Sequence, residues 1–369
     1  MTTSVSRTRQ RFELALAALL PISFLLIAIA KAGRFVDDVP LDGPQGDDWY
    51  FYRKLAASIL SGGLSMPAID SYVLVPHGFL YPYFLAGVFS IFGDNGSMAY
   101  VVQATLAGVS GVLLWSLVRR RSEPTAGIVF LIAIGLVLYL DFVRRLSFKL
   151  LSENLFLVLF SIFLVVFARA YGRRSHAGAA VAGVMLGLTV LSRTSITAAA
   201  LGIVVLACGY GPARRGTTIA WGVVFAIGFA AAMCLLPLRE YVAMGRPNFD
   251  LILNNGDWVP APAGIAARAE YYGRRILFTF GATGFVREEF RFRPHWFAIW
   301  CGVLTYLVVR IRSRQWPTIA EAAVLIFLPL YLAPVVLVAG IENYGGRMVA
   351  AAMPFAAMLA GRAIQPRQT

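Results

Sequence analysis

The sequence predicts an all-α integral membrane protein of about ten transmembrane helices, with juxtamembrane helices in a large first outer loop. Three observations predict it. Apolar runs recur from one end of the chain to the other. Charged residues make up only 14% of its 369 positions, against about a quarter in a soluble domain. The arginines gather in short clusters between the apolar runs. The membrane is therefore the main solvent along the whole length, and residues 1–369 read as one polytopic domain.

The runs long and apolar enough to span, or nearly so, fall at roughly 14–32, 99–118, 125–140, 150–169, 177–192, 195–212, 217–237, 296–311, 319–340 and 347–362. The first carries Arg7, Arg9 and Arg11 ahead of it and Ala28-Ile29-Ala30 at its end. Its length favours a retained signal anchor over a cleaved peptide. Placing the N-terminus inside puts Arg119–Arg121, Arg169/Arg173/Arg174, Arg214/Arg215, Arg310/Arg312/Arg314 and the tail arginines Arg362 and Arg367 on the cytoplasmic side. Retention of basic connections predicts that arrangement, with both termini cytoplasmic in a bacterial-type inner membrane. Phe79 to Phe92 is apolar but only fourteen residues long and is broken by Tyr81-Pro82-Tyr83. Counting it as a span would move Arg119–Arg121 outside, so it reads as a re-entrant or interfacial helix.

The formal charge of +14 raises nucleic acid as a partner, but no aromatic-and-basic surface accompanies it, and that class is excluded. Cys208, Cys234 and Cys301 lie in apolar segments without metal-ligand spacing and read as small buried hydrophobes. No internal repeat is visible, and charge is nearly absent from the span centres. Both points weigh against the competing class, a non-enzymatic transporter or flippase of lipid-linked sugars.

Two long outer loops remain, 33–98 and 238–295, and loops of that length are usually functional. The first holds Asp47-Asp48 ahead of an amphipathic stretch from Trp49 to Leu60 that stops at Gly62-Gly63. Asp47 is either the cap of that helix, with Asp48 complementing its dipole, or a carboxylate held at the membrane boundary as base or metal ligand. His77 is either a polar surface group or a residue serving a metal. Glu153, in Ser152-Glu153-Asn154, either sits comfortably at a helix N-terminus or faces a polar cavity. Arg193 lies at an outer junction, Arg274 and Arg275 in the second loop, and Tyr344 and Arg347 in the last outer turn. Each arginine alone can anchor lipid headgroups; together they form a face able to bind a lipid-linked phosphate through forked hydrogen bonds.

In order and spacing, several of these features resemble the GT-C superfamily of membrane glycosyltransferases, which includes protein-mannosyltransferase-like and aminoarabinose-transferase-like enzymes. They are Asp47-Asp48-Trp49-Tyr50, Pro76 to Pro82, Phe92-Gly93, Leu151 to Phe156, Gly183 to Arg193, and Tyr344 to Arg347 followed by Pro354. The resemblance implies inverting transfer of a sugar from a polyprenyl-phosphate donor to a glycan, lipid or protein acceptor at the outer face, among membrane lipids. It implies Asp47 as the catalytic acid-base residue with Asp48 its acidic neighbour, where many relatives have Asp-Glu. Arg193 and Arg347 resemble positions that hold the donor phosphate, and Glu153, Tyr344, His77, Arg274 and Arg275 join them as candidates for the donor site. Val75-Pro76-His77 stands where the family carries Lys or Glu before a Pro-Pro-Leu-like segment. A divalent metal ion, with Asp48 and His77 as candidate ligands, therefore stays open.

Overall fold

The structure, a computed structural model, describes residues 2–32, 48–62, 80–119, 124–146, 151–210, 215–244, 264–279, 293–337 and 342–363, and every regular element among them is helical. In chain order the helices are α1 (Thr2–Ala32), α2 (Asp48–Gly62), α3 (Leu80–Phe92), α4 (Gly96–Val118), α5 (Pro124–Leu138), α6 (Glu153–Arg173), α7 (His176–Ser192), α8 (Thr197–Gly209), α9 (Arg215–Met233), α10 (Leu235–Met244), α11 (Ile265–Thr279), α12 (Pro294–Ser313), α13 (Ile319–Leu337) and α14 (Glu342–Ala363). A π-helical turn, Tyr139–Leu146, continues α5.

Among the described residues, seven helical stretches are long and apolar enough to cross a membrane: Thr8–Ala32, Gly96–Val118, Thr125–Arg144, Glu153–Arg173, Ile219–Leu238, Pro294–Ser313 and Ile319–Val336. The chain is thus an all-α, multi-pass membrane protein, but the sequence-based count of ten is not reached by this measure. The other three segments form α7, α8 and α14. With 17 and 13 residues, α7 and α8 rise only about 26 and 20 Å, short of a core of about 30 Å. The α3 segment, 13 residues long, is too short to cross, as its reading as a re-entrant or interfacial helix requires. It ends where Gly93 takes a positive φ of 74°, and Asn95 then caps α4 by accepting from the Met98 amide at 3.0 Å.

Polar contacts between distant segments show which helix ends lie together. At one end Ser97 donates to the Ala32 carbonyl, Lys31 to the Tyr139 hydroxyl, and Tyr100 to the Val143 carbonyl. At the other, Glu13 accepts from Trp115 at 3.0 Å and pairs with Arg119, Arg362 donates to the Leu117 carbonyl, and Glu321 pairs with Arg310 and Arg362. Successive spans among those joined by these contacts therefore run in opposite directions, and the start of α1 and the end of α14 share one end of the bundle. The first of these two ends is called the outer end below, after the side to which the charge pattern of the sequence assigns it.

Along α6, Phe156, Phe160, Phe163 and Phe167 form a stacked ladder with neighbouring ring centroids 5.1–5.7 Å apart. Phe327 from α13 and Phe355 from α14 close on Phe160 at 4.6 and 4.8 Å. Rings at a three-to-four-residue spacing share one helix face. This ladder fixes the rotation of α6, and with it the direction of Glu153, one turn before Phe156. Helices α7 and α9 touch backbone to backbone: a Cβ on Gly183 would fall on the Phe225 carbonyl and lie 2.7 Å from the Phe229 nitrogen. Small residues that allow such approach are the usual adhesive between membrane helices. Gly183→Leu is expected to cost about 1–3 kcal/mol through overpacking, read as a lower unfolding midpoint in detergent. Gly172→Ala, where nothing lies within 4 Å, should leave the midpoint unchanged; equal midpoints for the two variants would refute the close-approach argument.

Candidate active site

Three of the sequence-predicted residues come together at the outer end. Glu153 opens α6 and is fully buried. Its Oε1 is 2.8 Å from Nη1 of Arg193 and accepts from Nε of Arg347 at 2.7 Å, while Oε2 accepts from Nη2 of Arg347 at 3.2 Å. Arg193 sits just past α7, its amide bonded to the Thr189 and Val190 carbonyls, where a cation complements the helix C-terminus. Arg347 lies in the second turn of α14. Burial, the largest single influence, would lower the pKa of Arg193, but the Glu153 carboxylate together with Tyr331 and Tyr52 outweighs it and the net shift is upward. Both readings of Glu153 are thus realised: it stands at a helix start and it faces partners in a polar interior.

Two guanidiniums around one carboxylate leave one net positive charge in a setting from which water is largely excluded, where charge acts strongly. Tyr331 of α13 lies against Arg193, its ring centroid 6.0 Å from the guanidinium carbon. On the other side Tyr52 of α2 meets Tyr81 of α3 edge to face at 4.6 Å. Tyr52 is within electrostatic reach of Arg193, and Tyr81 within reach of Glu153 and Arg347. Helix α2 therefore brings its buried Tyr52 beside the ion triad, and Asp48 stands one turn before Tyr52 on that helix.

The remaining candidates are not tested by the geometry. Asp47 and His77 lie outside the described residues. Asp48, Tyr344, Arg274 and Arg275 belong to α2, α14 and α11, but their side chains lie outside the described set. Helix α11 does touch α13 and α14, which carry Tyr331 and Arg347. Among the described residues no three His, Cys, Asp or Glu side chains gather as a metal site would need.

Sequence reasoning passed over a second polar group at the same end. Asp141, buried in the π-helical turn, accepts from Nε1 of Trp296 at 2.8 Å and lies 3.4 Å from Nε2 of His295. Arg293 stacks on Trp296 at 4.1 Å. In the sequence the 141–149 turn stands out only as polar, through Asp141, Arg144, Arg145 and Lys149; the signal available was an acid amid apolar residues at a span end, combined with Pro294-His295-Trp296 at the start of another.

Residues 76–238 match the dolichyl-phosphate-mannose-protein mannosyltransferase family. The match covers under half of the chain. It takes in Tyr81, Asp141, Glu153 and Arg193, while Asp47, Asp48 and Arg347 lie beyond it. It supports a membrane glycosyltransferase of the GT-C type, the superfamily that the motif order resembles. No curated protein and no solved structure matches the chain.

Proposed function

We propose that this GT-C-type membrane glycosyltransferase moves a sugar, with inversion, from a polyprenyl-phosphate donor to an acceptor hydroxyl at the outer face of a bacterial-type inner membrane, with both termini cytoplasmic. The observation that carries the proposal is the buried Glu153–Arg193–Arg347 triad with its one net positive charge at a helix-bundle end. In this reading the bond between the anomeric carbon and the phosphate oxygen breaks while the acceptor oxygen attacks from the opposite face. Asp47 takes the acceptor proton. The polyprenyl phosphate leaves with its electron pair, and Arg193 and Arg347 stabilise the charge that it gains.

Glu153 has a separate part. It holds the two guanidiniums in place before the donor arrives, so that the site needs no reorganisation when charge develops. A divalent ion on Asp48 and His77 would add to the same electrostatic effect. A lipid-borne donor also accounts for a site at the end of membrane-spanning helices. The test is to incubate the purified protein with a panel of radiolabelled polyprenyl-phosphate sugars and an acceptor extract of cell-envelope glycans, lipids and proteins. Transfer from one or two of them with inverted anomeric configuration is expected. Transfer only from nucleotide sugars, or retention of configuration, would overturn the proposal.

A further inference from the structure

Five buried side-chain atoms near the triad reach no partner in full hydrogen-bond geometry: the Tyr81 hydroxyl, both amide atoms of Gln103, Nε of Arg193 and the Tyr331 hydroxyl. Tyr81, Gln103 and Tyr331 are each fully buried. The Tyr81 hydroxyl is turned toward the Gln103 amide, short of full hydrogen-bond geometry, and lies within electrostatic reach of Glu153 and Arg347. Native interiors rarely leave buried polar atoms unmatched, and a cluster of them calls for a ligand that matches it. Gln103 lies seven residues into α4, about 10 Å from the helix start, at a depth where nothing but packing would otherwise favour a polar residue.

The chemistry of the five atoms narrows the ligand. A phosphate only accepts hydrogen bonds, and would leave the Gln103 carbonyl oxygen unmatched. A polyprenyl chain would match none of them. Hydroxyl groups both donate and accept, and so can serve an amide carbonyl, an amide N–H, a phenol and a guanidinium N–H together. In the donor of the proposed reaction the sugar hydroxyls hang from the ring joined to the phosphate, so a phosphate held at Arg193 and Arg347 would bring them within a few ångströms of Tyr81 and Gln103. Acceptor hydroxyls carry no such tether.

We infer that Gln103 and Tyr81 form the subsite that reads the hydroxyls of the donor sugar, an inference that rests on the polyprenyl-phosphate reading above. The pair sets sugar specificity and takes no part in proton transfer. A site built to bond a substrate hydroxyl rejects the analogue that lacks it far more sharply than an apolar pocket would.

The test compares the full-length protein, Gln103→Leu and Tyr81→Phe on polyprenyl-phosphate mannose and its 2-, 3-, 4- and 6-deoxy analogues. If another sugar is the one transferred, that donor and its deoxy series take their place. The wild type is expected to lose at least about tenfold in kcat/KM at one or two deoxy positions, from hydrogen bonds left unmade in a buried site. Each variant should lose a similar factor on the parent donor and lose nothing further on the matching deoxy analogue, so its parent-to-deoxy ratio falls towards one. Tyr81→Phe removes a single oxygen and keeps the ring contact with Tyr52, so it carries the test if Gln103→Leu fails to fold. Ratios equal to those of the wild type in Tyr81→Phe, whatever the absolute rate, overturn the subsite. A wild type that transfers from none of these donors overturns the donor reading itself, and the subsite with it.

Discussion

Replacing Glu153 with Gln is expected to abolish measurable transfer and to lower stability by about 3–5 kcal/mol, the range for removing one partner from a buried ion pair. Gln keeps the shape and removes the charge. Arg193 and Arg347, now bridged by no anion, face each other at a site with almost no water between them. Like charges there repel far more strongly than at a wet surface. The neutral side chain also presents an N–H where one guanidinium formerly found an acceptor, leaving a buried donor unmatched. Two losses are therefore mixed in one variant, and a second substitution separates them. Glu153→Gln combined with Arg193→Gln removes one cation along with the anion and keeps the net charge at one. It should recover most of the unfolding midpoint in detergent and none of the activity, because the pair of guanidiniums proposed to bind the phosphate is gone. Recovery of both would mean that Glu153 serves the fold alone; recovery of neither would mean that the triad does not act as a charge-balanced unit.

That triad shows where the sequence was informative and where it was silent. Glu153, Arg193 and Arg347 each stood out as a charge at a span end, and the two arginines also as positions resembling those that hold the donor phosphate in the GT-C superfamily. Which partner each finds is a matter of fold: Arg347 lies 194 positions from Glu153 along the chain, and neither periodicity nor spacing reaches that far. Local signals fared better. Gly93 does end α3 with a positive φ, and the amphipathic stretch from Trp49 to Leu60 is α2. Ser175, which the sequence reading did not single out, caps α7 by accepting from the Gly178 amide. Hydropathy located all ten apolar segments and gave α7 to within a residue, but 195–212 runs past both ends of α8, Thr197–Gly209, because a helix can stop inside an apolar run.

Two further residues were invisible for different reasons. Gln103 is uncharged, so a survey of charge within spans passes over it, although its amide is as hard to bury unmatched as many ionic groups are to bury paired. Glu13 falls one residue before the predicted start of the first span. The helix begins earlier, at Thr2, and Trp115 and Arg119 receive the carboxylate. Its partners are Trp115 on α4 and Arg119 just beyond it, the first member of the arginine cluster that served only as a topology marker in the sequence.

Asp47→Asn is expected to lower kcat by about 10²–10⁴-fold, the usual contribution of a positioned general base, while the unfolding midpoint stays where it was. The choice of Asn matters. If Asp47 does no more than cap α2, Asn caps a helix as well as Asp does, and activity should survive. If Asp47 removes the acceptor proton, Asn cannot, since its amide has no comparable basicity. The same substitution at Asp48 sharpens the assignment. Asp48 lies in the first turn of α2, one turn from Tyr52, which reaches the arginines electrostatically. A carboxylate there complements the helix dipole and helps to hold the site's charge balance, so Asp48→Asn should reduce activity by a smaller factor, about tenfold, from the loss of one nearby charge. The pH profile provides the separating measurement. Loss of a general base removes the acidic limb of kcat/KM, whereas loss of a neighbouring charge only displaces that limb. An acidic limb that persists in Asp47→Asn and disappears in Asp48→Asn would move the base one residue along, to Asp48.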